Sequence, residues 1–232
     1  MRAARHAEPR LSPRWAAVGH SDGGHGVLYA EAYAAEAPEL AFVGAVAFAP
    51  FTSVAAIVAF NGEQATRDPA QAMDYVVQQN FNVGLLAAGL RVRDSAFDLS
   101  TIMGTDLQRL MPSFTTKGSV KIVADLTQAI QAKTLAAFSG FKPEWATVPA
   151  MQAFLAANDP AVLPGFTLRQ PTLVLQGTAD ASVPEPLTAA FTAPLLAAEA
   201  PVIYHPYAGA DHFTILPQAL PEALAFMAEH LG

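Results

Sequence analysis

The sequence predicts an α/β protein, with a mainly parallel sheet, helices on both faces and a large helical insertion. Three strand-like runs, at residues 15–19, 42–49 and 171–177, are short and almost continuously apolar, as strands buried on both faces should be, and residues 202–205 read as a fourth strand. Helix-like segments separate them, and alternating strand and helix is the pattern of a parallel sheet. Residues 53–165 carry helical spacing and no strand-like alternation of useful length. The chain therefore divides into a core, residues 1–52 and 166–232, and an insertion, residues 53–165.

Composition narrows the function classes. A chain of 232 residues is one large domain or a domain with a cap. With 52% apolar and 14% charged residues it has material for a sizeable core and an apolar pocket. A net charge of −7 and the lack of a basic cluster argue against nucleic acid and anionic membranes as partners. The absence of cysteine excludes disulfides and thiolate metal sites. Residues 1–15 carry four arginines and no apolar h-region, so they are not a signal peptide, and localisation stays open. The charge-free stretch 40–62 is read as a strand followed by a loop, because Pro50, Thr52 and Ser53 interrupt it where a membrane span would have to continue.

In chain order, residues 1–10 read as the tail of a helix, cut off by Pro9 and Pro13 before the first strand at 15–19. A helix over 24–37 is stopped by Pro38, and Phe42-Val43-Gly44-Ala45-Val46-Ala47-Phe48 begins the second strand. Within the insertion, helices are predicted at 69–90, 106–111, 119–138 and 149–157. Ile122, Leu126 and Ile130 form one apolar face after the Gly118-Ser119 cap. The third strand is Pro171-Thr172-Leu173-Val174-Leu175-Gln176-Gly177, followed by a helix at 185–199 and the fourth strand, Val202-Ile203-Tyr204-His205. A terminal helix over 218–231 places Leu220, Leu224 and Met227 on one face.

The chemistry centres on Val18-Gly19-His20-Ser21-Asp22-Gly23-Gly24, where the first strand turns into a helix. The G-x-S-x-G spacing is that of a nucleophile elbow: a sharp turn strains the serine, and Gly19 and Gly23 lack the Cβ atoms that would clash across it. The partners of Ser21 should follow later strands at their C-terminal ends, where loops of a parallel sheet converge. Asp180 follows the third strand and His212 the fourth. An imidazole takes the serine proton as base and returns it as acid, while a carboxylate holds its tautomer. Asp211 is poorly placed as that acid because it adjoins His212 in sequence. His20 and His25 read as supporting residues. A metal site from His20, Asp22 and His25 lacks a helical i, i+4 ligand pair, so no metal or cofactor is expected.

Together, Gly19-His20-Ser21-Asp22-Gly23-Gly24, the helical insert, Gln176-Gly177-Thr178-Ala179-Asp180-Ala181-Ser182-Val183-Pro184 and Tyr207-Ala208-Gly209-Ala210-Asp211-His212 resemble the secretory lipase family of α/β-hydrolases. The resemblance spans residues 10–230. It implies an α/β-hydrolase fold and esterase or lipase activity on acyl esters, with the insert as a cap over the acyl site; short- to medium-chain or lipophilic carboxylic esters are the expected substrates. Ser21 would be the nucleophile, Asp180 the acid and His212 the base, and the backbone N–H of Asp22 one oxyanion donor. Phe51, Phe60, Leu85, Leu86, Ile122 and Leu126 are candidates to line an acyl pocket or simply to pack the core. A peptidase of the prolyl type shares the triad order, but no anchor for a peptide amine is evident.

The sequence departs from the family before Trp15. Fourteen residues there cannot hold the strands that normally precede the nucleophile strand, one of whose loops supplies the second oxyanion donor. A truncated sheet of about four strands is expected, and with it either weak activity or a second donor from a cap loop or another chain; the alternative to an esterase is a weak or inactive fold that binds an apolar ligand or partner. The 15–19 strand then becomes an apolar edge without lysine, internal proline or bulge signal, from which a homo-oligomer is expected.

Overall fold

The computed structural model describes all 232 residues, which form two compact units. The first comprises residues 1–53 and 164–232, and the second residues 54–163. In the first unit, strands β1 (Arg14–His20), β2 (Ala41–Phe48), β3 (Thr172–Gly177) and β4 (Val202–Tyr207) make one sheet in the order β1-β2-β3-β4, with every pairing parallel. β3 is buried at all six positions, in keeping with the unalternating apolar run Leu173-Val174-Leu175 at its centre.

The two faces of the sheet are covered by different helices, and alternate side chains decide which. Val46, Phe48, Leu173 and Leu175 pack with Ile215, Ala219, Ala223 and Phe226 of the terminal helix, α10 (Ile215–Leu231). Ala47 and Val174 pack on the opposite side with Leu28 of α2 (Asp22–Leu28) and with Phe191 and Leu195 of α9 (Glu185–Ala197). The short helices α1 (Arg2–Ala7) and α3 (Ala30–Ala34) complete this unit.

The second unit is helical: α4 (Val54–Arg67), α5 (Ala72–Arg93), α6 (Thr105–Thr116), α7 (Ser119–Gln131) and α8 (Pro149–Asn158) surround their own core. Ile122, Leu126 and Ile130 are its buried stripe on α7, as their spacing requires. Ile122 and Leu126, two of the pocket candidates, thus serve this core, while Leu85 and Leu86 pack partly buried against it. The buried carboxylate of Asp159 accepts the backbone N–H of Val54 at 2.8 Å, joining the two ends of this unit. No helix of the protein is long and apolar enough to cross a membrane.

Several boundaries differ from the sequence reading for identifiable reasons. The helix expected over 24–37 is broken at Tyr29, whose N–H bonds the Gly26 carbonyl three residues back. Gly23, Gly24 and Gly26 supply little propensity to carry the helix through. The helix expected over 119–138 ends at Gln131, and that expected over 106–111 continues past Pro112 to Thr116. α4 begins inside the charge-free stretch, where uninterrupted apolar residues hide any period. β1 is an edge strand of this sheet, as the family's strand order implied, but its pairing with β2 contains a register shift between Trp15 and Ala16. Ala16 pairs with Gly44 there, and a Cβ at Gly44 would lie 2.7 Å from the Pro171 carbonyl.

Candidate active site

Ser21 stands between β1 and α2 with φ 57° and ψ −117°, a backbone conformation that costs a non-glycine residue roughly 1–3 kcal/mol. Three main-chain hydrogen bonds hold it there. Its N–H donates to Phe48 at 2.9 Å, and its carbonyl accepts from His25 at 2.9 Å and Phe51 at 3.1 Å. A Cβ on Gly19 would lie 2.0 Å from the Gly23 carbonyl oxygen, and one on Gly24 would lie 2.9 Å from the Phe48 oxygen and from the Pro50 Cα. At Gly23 a Cβ meets open space. The second obligatory glycine is therefore Gly24, because it is the residue that packs against the end of β2. Asp22 is the first helical residue of α2, so its N–H has no carbonyl one turn back to satisfy it.

Asp180 lies in the loop after β3 with its side chain fully buried. One oxygen accepts the N–H groups of Ser182 and Val183, each at 2.8 Å. The other is 2.8 Å from Nδ1 of His212 and 3.1 Å from the Gln176 amide nitrogen. A carboxylate with this many donors keeps one orientation. Gln176 is itself fixed: its amide N–H also reaches the Val183 carbonyl at 2.9 Å, and its oxygen accepts the Thr188 hydroxyl at 2.9 Å. Sequence reasoning missed Gln176, although an amide inside an otherwise apolar buried strand is a signal in itself.

The loops after β3 and β4 are laced together. Thr178 N–H donates to Tyr207, Ala179 N–H to Ala210, and the Gly209 N–H to the Thr178 hydroxyl. Gly177 permits this approach, since a Cβ there would lie 2.3 Å from the Ala210 oxygen. With Nδ1 of His212 held by Asp180, Nε2 is the nitrogen available to a nucleophile. No hydrogen bond joins the Ser21 hydroxyl to His212 in this structure, and such bonds commonly close only with substrate present.

The remaining polar residues near the elbow have separate tasks. Nδ1 of His25 donates to the Phe51 carbonyl at 2.8 Å, pinning the segment after β2. Asp211 accepts the N–H groups of Phe213 and Thr214 and the Thr214 hydroxyl, and these bonds, led by those from Thr214, hold its carboxyl below the usual range. It shapes the turn that carries His212. Asp211→Asn retains an acceptor for those donors, so on the esterase reading that the sequence resemblance implies, a rate close to wild type is expected; a loss equal to that of Asp180→Asn in a kcat comparison would reverse the assignment.

Partial desolvation by its surroundings raises the Asp22 carboxyl from its ordinary value, opposed by His25, His212 and His20, although the residue keeps much of its surface in solvent. A raised pKa means that the folded chain holds the proton more tightly than the unfolded one, so this group weakens the fold as pH rises. Asp22→Asn is therefore expected to gain a little stability relative to wild type as pH rises above about 4. Thermal unfolding from that pH upward checks it, and a pH-independent difference would contradict the desolvation account.

No protein-family model matches the sequence, and no curated protein matches it significantly. Solved structures do resemble it. Candida antarctica lipase A in its closed state superposes with a TM-score of 0.69 at 16% identity, over 99% of this chain and 52% of that one. The rice cell wall degrading esterase LipA from Xanthomonas oryzae superposes at 0.61 with 14% identity, over 98% of this chain and 60% of that one. The chain thus spans little more than half the length of these proteins. It has the α/β-hydrolase fold that the lipase and the esterase share.

Proposed function

We propose that the chain is a serine esterase or lipase that hydrolyses short- to medium-chain carboxylic esters through an acyl-enzyme. The observation that supports this most directly is a strained serine at a strand-to-helix turn whose neighbour His20 bonds the backbone of His212, the partner of buried Asp180. In this reading His212 removes the Ser21 proton as the hydroxyl oxygen attacks the ester carbonyl, and the Asp22 N–H faces the oxyanion. His212 then protonates the departing alkoxide, and water repeats the sequence on the acyl-serine. Asp180 keeps the ring in the tautomer that leaves Nε2 able to accept.

The test is labelling by a fluorophosphonate, followed by a series of p-nitrophenyl esters of increasing acyl length and one amide substrate. Labelling on Ser21 with faster ester than amide turnover is the expected result. A folded sample that is not labelled would favour the second reading, a fold that binds an apolar ligand or partner without turnover. The unformed Ser21–His212 hydrogen bond is the observation on that side.

A further inference from the structure

We propose that His20 is a positioning residue that ties the His212 base to the strand carrying the nucleophile. The proposal rests on the acyl-transfer reading of Ser21, Asp180 and His212. His20 ends β1 and immediately precedes Ser21. Its Nε2 lies 2.7 Å from the main-chain oxygen of His212, and because a carbonyl only accepts, Nε2 carries the proton. The two rings are 4.5 Å apart between centroids, and the His20 ring also contacts Phe213 at 5.9 Å.

Asp180 by itself does not set the distance from the base to the serine. It belongs to the loop after β3 and grips one ring nitrogen, leaving the His212 backbone to be placed by other contacts. The hydrogen bond from His20 grips that backbone, and it comes from the residue covalently joined to Ser21. Nucleophile and base, 191 positions apart in sequence, are thereby held in register through one short bond across the site. A neutral ring suits the task, because a second cation would oppose the imidazolium that forms on His212. Burial, reinforced by His212, lowers the basicity of His20, against smaller opposing effects of the His212 carbonyl, Asp180 and Asp22. Displacing a reacting group by about 1 Å can cost on the order of 10²-fold in rate, so a device of this kind has a measurable effect.

The experiment compares wild type, His20→Gln and His20→Leu. Glutamine presents an N–H near the position of Nε2, whereas leucine fills similar space with no donor. With p-nitrophenyl butyrate, His20→Leu is expected to lose about 10- to 100-fold in kcat with KM within about threefold, and His20→Gln to recover most of that loss. The downfield proton NMR signal of the His212–Asp180 hydrogen bond gives a readout without turnover: it should persist in wild type and His20→Gln and be lost to exchange in His20→Leu. An unchanged signal in His20→Leu, or equal loss in both variants, overturns the proposal. That pattern of signals across the three proteins, found without ester turnover in wild type, would count against the esterase reading alone.

Discussion

Ser21→Ala is expected to lower kcat for ester hydrolysis by about 10⁴-fold or more, and Asp180→Asn by a comparable factor, in proteins that unfold much as wild type does. In the proposed mechanism the serine variant removes the atom that would be acylated. The asparagine variant keeps an oxygen for the Ser182 and Val183 N–H groups but loses the charge that faces Nδ1 of His212, so the imidazolium formed during attack is no longer stabilised. Because the residues act as a unit, the double variant should be scarcely slower than either single one. Steady-state rates and burst kinetics with p-nitrophenyl esters check both statements. Strictly multiplicative losses would mean that Ser21 and Asp180 act independently.

Gly19→Ala is expected to destabilise the core unit by about 3 kcal/mol or more and to abolish activity with it. The added Cβ would lie 2.0 Å from the Gly23 oxygen and 2.3 Å from its carbonyl carbon, both backbone atoms with no rotamer by which to retreat. Relief requires α2 to move away from β1, which displaces Ser21. Gly23→Ala is the matched control, since its Cβ meets nothing within 4 Å and alanine favours a helix over glycine by about 1 kcal/mol. Denaturant unfolding should therefore move the two variants in opposite directions. Similar destabilisation by both would show that the elbow tolerates or rejects side chains for some reason other than this contact.

Legibility in the sequence followed the range of the interaction responsible. β3 declared itself because a strand buried on both faces has no polar alternation to preserve. Ser21, Asp180 and His212 could be picked out because each sits at the end of a strand-like run, where the loops of a parallel sheet converge. The break at Tyr29 was harder to see, since a single turn decides between continuing a helix and ending it, and residues on either side are compatible with both. α4 was obscured by the same apolar continuity that marks a buried strand.

By itself, the sequence determined the alternating α/β architecture, the four parallel strands, the helical character of the middle of the chain and the residue types at the candidate site. These depend on local propensity and on hydrophobic periodicity within a few turns or strand positions. Tertiary structure alone decided which glycines are obligatory, that Gln176 orients Asp180, that Gly44 lies where the β1–β2 register shifts, and that His20 reaches the His212 backbone. Each of those is a contact between segments far apart in sequence, made within a few ångströms. Such a contact follows from how strands and loops pack against one another, and no periodicity along the chain encodes it.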